Sequence, residues 1–136
     1  MAVLNDKKTV GAPFGNESKL VCVTYDFSKD TGAVADYDVL EADGSLLVQL
    51  INIDVETALT CASDFDIDLG KGAGGTEFLS DAAKAAFAID TQVSPDTVGK
   101  FVELADGEKI VMGIETAAAT AGKMHMMFLC YRRPNR

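Results

Sequence analysis

Apolar and polar residues alternate along most of this chain. In residues 20–27, for example, Val21, Val23 and Tyr25 take every second position, and Thr24 lies between two of them. Successive side chains of a strand point to opposite faces of a sheet, so a period of two is the pattern of a half-buried strand. The same reasoning predicts strands over residues 20–27, 33–40, 46–55, 64–69, 100–104, 109–116 and 124–132.

Two of these strands are predicted to lie deep in the fold. In 46–55, Ile51, Ile53 and Val55 are expected to face the core. In 124–132 the residues on both faces are mostly apolar, which indicates a central strand or an interface strand.

One helix is predicted, over residues 81–88. Ser80 can cap its N-terminus, and Asp81 is favourable in its first turn. Turns rich in Gly and Asp separate the strands, and Asp106–Gly107 is a typical hairpin turn. Seven or eight short strands with one short helix predict an all-β domain, a β-sandwich or jelly-roll-like fold.

The first 18 residues lack this alternation and are expected to form an extended arm. Glycine and proline interrupt the segment, and its few large apolar side chains are spaced far apart. We expect the arm to be poorly ordered in the free protein and to bind a neighbouring subunit. The predicted organisation is therefore an arm over 1–18, a single β-sandwich domain over 19–133, and a short basic tail over 134–136.

The charge of the chain limits which classes of molecule it can bind. The net charge is −9, and the segment 26–120 holds 19 acidic but only 5 basic residues. Nucleic-acid binding needs clustered Lys and Arg, so we expect no nucleic-acid partner. No apolar run approaches the ~20 residues that span a bilayer, and the first ten residues do not resemble a signal peptide. The expectation is a soluble protein made in a cytoplasm, with no membrane partner.

The best candidate for a metal site is the row Asp64, Asp66 and Asp68. Its spacing matches the first three ligands of an EF-hand calcium loop. The rest of that pattern fails, because the glycine is Gly70 and the glutamate, Glu77, is fourteenth rather than twelfth. Carboxylates along one strand face cannot wrap an ion, so we expect no calcium binding.

No other residues form a catalytic or cofactor-binding motif. His125, the single histidine, lies mid-strand among methionines, which indicates packing or an interface. Cys22, Cys61 and Cys130 lack metal-ligand spacing; buried free thiols are the favoured interpretation, and a disulfide or redox pair is the alternative. We therefore expect no metal, no cofactor and no enzymatic activity.

Several segments resemble small virion structural proteins of tailed bacteriophages, of the capsid decoration (cement) type. The similarity runs over roughly residues 20–131. The segments are Val23-Thr24-Tyr25-Asp26-Phe27, Gly32-Ala33-Val34-Ala35-Asp36-Tyr37-Asp38, Val55-Glu56-Thr57-Ala58-Leu59-Thr60, Ile67-Asp68-Leu69-Gly70, Phe78-Leu79-Ser80-Asp81-Ala82-Ala83, and residues 114–123.

The resemblance implies a protein that binds the outer surface of an assembled phage head and stabilises it by bridging capsid subunits. Its partners would be the major capsid protein and further copies of itself, and its place would be the virion, after synthesis in the bacterial cytoplasm. The residues expected at the capsid or inter-subunit interface are Val3, Leu4, Lys7, Lys8, Val10, Phe14, Arg132 and Arg133. A tail or head-fibre component, a calcium-dependent β-sandwich binding module and a small enzyme are the alternatives.

Overall fold

A computed structural model describes residues 2–11 and 18–132. Within these ranges the chain forms ten β-strands, a four-residue α-helix (α1, Phe27–Asp30) and a 3-10 helix over Lys84–Phe87. The strands are β1 (Ala2–Gly11), β2 (Lys19–Asp26), β3 (Ala35–Asp43), β4 (Leu46–Cys61), β5 (Asp66–Lys71), β6 (Leu79–Ala83), β7 (Gln92–Val93), β8 (Phe101–Leu104), β9 (Lys109–Glu115) and β10 (Ala119–Arg132).

The strands form two sheets that pack as a sandwich, as the alternation predicts. Sheet A has the order β1-β3-β9-β5-β6, and sheet B has the order β2-β10-β4-β7, with β8 also paired to β4. The pairs are antiparallel except for β1 and β3, which run parallel. Side chains from the inner faces of both sheets form one continuous apolar core.

Aromatic side chains join the two sheets across that core. Tyr25 of sheet B meets Tyr37 of sheet A edge to face, with ring centroids 6.5 Å apart. The Tyr25 hydroxyl donates a hydrogen bond to the carbonyl of Thr31 at 2.6 Å. Burial without a hydrogen bond would be costly for this hydroxyl, so the contact fixes the loop after α1 to the core.

The N-terminal segment departs from the expected arm. Residues 2–11 form β1, an edge strand whose Leu4 and Val10 are each only 2% exposed and belong to the core. The pairing with β3 shifts between Val3 and Lys8, so β1 bulges there, and the period-two pattern is lost from the sequence. The sequence does not reveal this strand because its buried residues, Leu4 and Val10, lie several positions apart and show no alternation.

The helix predicted over 81–88 is present only over Lys84–Phe87, as a 3-10 helix. Residues Leu79–Ala83 form the edge strand β6, and only the four residues of the 3-10 helix follow. Ser80 caps nothing; its backbone N–H donates to the Asp96 carboxylate at 2.8 Å. Alanine favours a helix only weakly when tertiary contacts compete, and here pairing with β5 prevails.

The Asp106–Gly107 turn is present, but it does not close a hairpin. Gly107 has a φ of 82°, a conformation that favours glycine. The strand before it, β8, pairs with β4 of sheet B, whereas the strand after it, β9, pairs with β3 and β5 of sheet A. A local turn motif cannot tell a hairpin from a crossing between sheets.

A bulge in β4 reverses the predicted orientation of Ile51. Leu50 pairs with Phe128 and Asn52 pairs with Met127, so Ile51 is the extra residue of the bulged strand. Ile53 and Val55 face the core as predicted, but Ile51 is 42% exposed. The bulge therefore adds an apolar side chain to the outer surface of sheet B.

Candidate interaction surfaces

The outer face of sheet B carries a group of apolar side chains, here called the apolar face, with the polar Gln49 and Asn52 of β4 among them. Its strands β2, β10, β4 and β8 place alternate residues outward, and many of these are apolar. Three are well exposed, Leu20 at 58%, Phe101 at 43% and Ile51. The members of the apolar face are Leu20, Cys22, Leu47, Ile51, Phe101, Met127, Leu129 and Tyr131.

Pairing across the sheet shows that these residues are neighbours. Leu129 pairs with Leu20 on one side, and Met127 pairs with Cys22. At the far side the rings of Phe101 and Tyr131 lie 5.3 Å apart. Exposed and half-exposed apolar side chains grouped on one face are typical of a protein–protein contact.

A polar ladder crosses the same face beyond the apolar residues. His125 Nδ1 lies 2.8 Å from Thr24 Oγ1, and its Nε2 lies 2.9 Å from Glu56 Oε1. The order hydroxyl, imidazole, carboxylate is that of a hydrolase triad, but Thr24 lies mid-strand and its backbone N–H donates to the Asp6 carboxylate at 2.8 Å. That N–H is therefore not free to stabilise an oxyanion, and the ladder holds β2, β10 and β4 in register.

Both ends of this face carry acidic side chains. Glu103 of β8 lies outward at the end where β2 begins and β10 finishes. Lys19 and Arg132 lie at the same end, but they pair with the buried Cys130 and Leu46 and so take inner-face positions. Asp26, Asp54 and Glu56 lie at the opposite end, where Glu56 also pairs with Lys123 at 3.5 Å. The outer face of sheet B thus has apolar side chains at its centre and carboxylates at both ends.

The outer face of sheet A is acidic. Asp36 of β3, Asp68 of β5 and Glu115 of β9 converge around Gly113, where a side chain would meet the Asp36 carboxylate at 3.1 Å and that of Glu115 at 3.6 Å. A hydrogen bond with Asp68 and the negative charge of that carboxylate raise the pKa of Glu115 to about 7, with smaller contributions from desolvation, Asp81 and Asp36. Glu115 therefore binds a proton more tightly than an isolated glutamate does.

Asp64, Asp66 and Asp68, whose spacing resembles that of a calcium loop, each accept a hydrogen bond from a different residue. Asp64 accepts a hydrogen bond from the backbone of Lys84 at 3.0 Å, and Asp68 accepts one from the backbone of Asp81 at 2.7 Å. Asp66 accepts one from the Thr116 hydroxyl at 2.8 Å. In the ranges that the structure describes, no three His, Cys, Asp or Glu side chains are placed to share a metal ion.

The residues predicted to lie at an interface differ in their exposure and in their ion pairs. Leu4 and Val10 are buried in the core and cannot face a partner in this fold, which corrects their assignment. Val3 is 54% exposed on β1. Lys7 and Lys8 lie on the same strand and pair with Glu41 at 2.5 Å and Asp6 at 2.8 Å, whereas Arg132 is exposed at the end of β10. Phe14 and Arg133 lie outside the described residues.

The three cysteines are free thiols in three different environments. Cys130 is buried, as predicted, and burial raises the pKa of its thiol to about 12. Cys61 is half-buried and contacts the carbonyl of Ser63. Cys22 is exposed, contrary to prediction, because β2 turns its even-numbered residues outward. The apolar run around Cys22 does not show which of its side chains face the core and which face solvent.

Known structures share this fold. A chain of the capsid asymmetric unit of cyanophage Pam1 superposes with a TM-score of 0.63 at 18% identity, over 91% of each chain. A chain from the acidic stable capsid structure of the Helicobacter pylori bacteriophage KHP30 superposes with a TM-score of 0.57 at 15% identity, over 84% of this chain and 86% of that one. No protein-family model and no characterised protein sequence matches the chain. Among the described residues, no helix is long and apolar enough to cross a membrane.

Proposed function

We propose that this chain is a phage virion structural protein of the decoration type, which binds the outer surface of an assembled head and braces it. The observation that carries the proposal is the likeness of almost the whole chain to chains of two phage capsid structures. The proposed partners are the major capsid protein and further copies of this chain. The proposed role is structural and needs no enzymatic activity or cofactor.

The surfaces of the domain support this role. A decoration protein needs one surface for the shell and, where it bridges subunits, a second for its own kind. The apolar face of sheet B is one such surface, and the edge of β1 around the exposed Val3 is a separate one. A protein that binds only the assembled shell stabilises the shell by mass action. Because the contact is repeated over many copies, even a weak contact per copy gives a large total binding free energy.

We propose that the capsid contact lies along β1. As an edge strand, β1 pairs with β3 alone. The middle of its outer side is already bonded within the domain, because the Asn5 N–H donates to the Asp30 carboxylate and the Asp6 carboxylate accepts the Thr24 N–H. The proposed contact with a partner strand therefore lies toward the ends of β1. This keeps the predicted contact on the N-terminal segment but confines it to the exposed Val3, the two lysines and the strand edge. Leu4 and Val10 support the strand from the core instead.

The test uses heads assembled without the protein. Purified full-length chain is added, and occupancy is measured by sedimentation and cryo-electron microscopy, together with the temperature at which the heads release their genome. We expect saturable binding at regular positions and a higher release temperature. Absence from heads, with recovery in purified tails or fibres, would contradict the proposal and favour the tail or fibre alternative.

Two matched variants locate the contact. Val3→Asp places a charge on β1, and Val98→Asp places the same charge on a loop where Val98 is 81% exposed. If β1 contacts the capsid, Val3→Asp lowers head affinity at least tenfold, and Val98→Asp leaves it unchanged. Equal binding by both variants, with unchanged melting, would show that the capsid contact lies elsewhere.

A further inference from the structure

The strand β2 forms an edge of sheet B at which some backbone groups point away from the domain. It pairs only with β10, and the register of that pair is unbroken. In a regular antiparallel pair, every second residue directs its N–H and C=O away from the partner strand. The even-numbered residues of β2 do so, because the N–H groups of Thr24 and Asp26 donate to carboxylates that lie outside β10. Leu20 and Cys22 therefore direct two N–H donors and two carbonyl acceptors to the edge.

Two carboxylates close one half of this edge. Asp6 of β1 accepts the Thr24 N–H at 2.8 Å. Asp30 accepts both the Asp26 N–H at 2.9 Å and the Asn5 N–H at 2.6 Å, so it joins β2 to β1. Side chains that occupy the donors of an edge strand prevent a further strand from pairing with it. This half of the edge is therefore protected by side chains of the domain itself.

The other half of the edge is open. In the part of the chain that the structure describes, no group bonds the outward N–H groups of Leu20 and Cys22. A groove of about 220 Å³, here called the edge groove, lies between residues 8–10 of β1 and residues 19–22 of β2. Extended peptides bind at such edges, because main-chain hydrogen bonds hold them and pockets for alternate side chains select them.

The charges of the edge groove indicate which segment would fit it. Lys8 and Lys19 line it, and Lys8 pairs with the Asp6 carboxylate at 2.8 Å. Lys19 is exposed, and no carboxylate among the described residues pairs with it. Val10 and Val21, which also line the groove, are buried. A strand added to β2 places one side chain beside Lys19 and another, two positions along, beside Val21. The first position favours a carboxylate and the second an apolar side chain.

We propose that residues 19–23 of β2 bind an extended segment of the capsid protein, which adds to sheet B as a further strand and carries a carboxylate two positions from an apolar side chain. This inference deepens the proposed function and rests on it for the source of the segment. The C-terminal end of β1 borders the edge groove, so the bound segment also lies against the strand assigned to the capsid contact. A second copy of β2 fits less well, because it brings another lysine rather than a carboxylate.

Binding of full-length variants to heads assembled without the protein tests the site. Cys22→Pro removes one outward N–H, and proline is tolerated on an edge strand where that N–H faces solvent. Cys22→Ala keeps the N–H and is the matched control. Lys19→Glu reverses the charge of the edge groove, and Lys84→Glu makes the same change on the exposed start of the 3-10 helix. We expect Cys22→Pro and Lys19→Glu to lower head affinity at least tenfold and both controls to leave it unchanged. Melting of each free variant establishes that it is folded.

Hydrogen exchange gives a readout that a loss of stability would not produce. In the free chain, the amides of Leu20 and Cys22 should exchange rapidly, whereas those of Val21 and Val23 are protected by β10. When the wild-type chain binds heads, mass spectrometry should show two further protected amides within residues 19–23. Binding to heads without this protection, or equal binding by all four variants, would overturn the inference and leave the proposed function standing. The same protection on self-association of the free chain would also overturn it, and would assign the edge to a second copy.

A peptide titration separates the site from the proposed function. The probe is a strand-forming peptide with glutamate two positions from valine, and its control has lysine in place of the glutamate. We expect the free wild-type chain to bind the glutamate peptide at least tenfold more tightly, and Lys19→Glu to remove this preference. Binding of the glutamate peptide by a chain that does not bind heads would contradict only the proposed function. Equal binding of the two peptides would overturn the selection of an acidic segment, and a chain that binds neither heads nor peptides would contradict both proposals.

Discussion

Replacing Leu4 with alanine tests whether the N-terminal strand belongs to the folded domain before any partner is present. Leu4 is 2% exposed, so the substitution removes about three buried carbon groups at ~0.8 kcal/mol each. The cavity left behind adds to this loss, and Leu→Ala substitutions in cores cost roughly 2–5 kcal/mol. Since β1 is an edge strand that can partly collapse, we expect a loss of about 2–3 kcal/mol. The melting temperature should fall by about 10 °C.

The neighbouring residue provides the control. Val3 lies on the same strand but is largely exposed, so Val3→Ala should change the free energy of unfolding by less than about 0.5 kcal/mol. Both variants are measured by urea denaturation of the free protein, with the slope of the transition compared to that of the wild type. If Leu4→Ala were as stable as Val3→Ala, residues 2–11 would not be packed in the free protein. They would then be an arm that orders only on binding.

Two further predictions concern stability. The raised pKa of Glu115, about 7 against an ordinary 4.5, means that the folded state binds a proton more tightly than the unfolded state. Stability should therefore fall as the pH rises from about 4.5 to 7 and then level off. Glu115→Gln, which keeps a donor to Asp68, should melt higher than wild type at pH 8 but not at pH 4. An equal gap in melting temperature at both pH values would contradict the raised pKa of Glu115. Gly32→Ala should cost about 1–3 kcal/mol in urea denaturation, because its new Cβ would lie 2.2 Å from the carbonyl oxygen of Ala119. Gly107→Ala, which meets open space but has a φ of 82°, should cost only about 1 kcal/mol; equal losses would point to backbone strain in both.

The strands with a strict period of two could be predicted from the sequence because each buries one face. Residues 20–27 became β2 and residues 109–116 became β9, each to within a residue or two at its ends. Where the chain bulges, at β1 and at Ile51, the alternation slips by a residue and the prediction fails with it. A bulge is set by the partner strand, which the local sequence does not contain.

Pairing between strands that are distant in sequence also explains the elements that local propensity predicts wrongly. The alanine-rich residues after Ser80 favour a helix in isolation, but β5 offers an unpaired edge that draws Leu79–Ala83 into sheet A. In the sequence, the only sign of the apolar face is the excess of apolar residues over 124–132. The residues that complete it, such as Leu20, Ile51 and Phe101, come from three other strands and meet only once the sheet is formed.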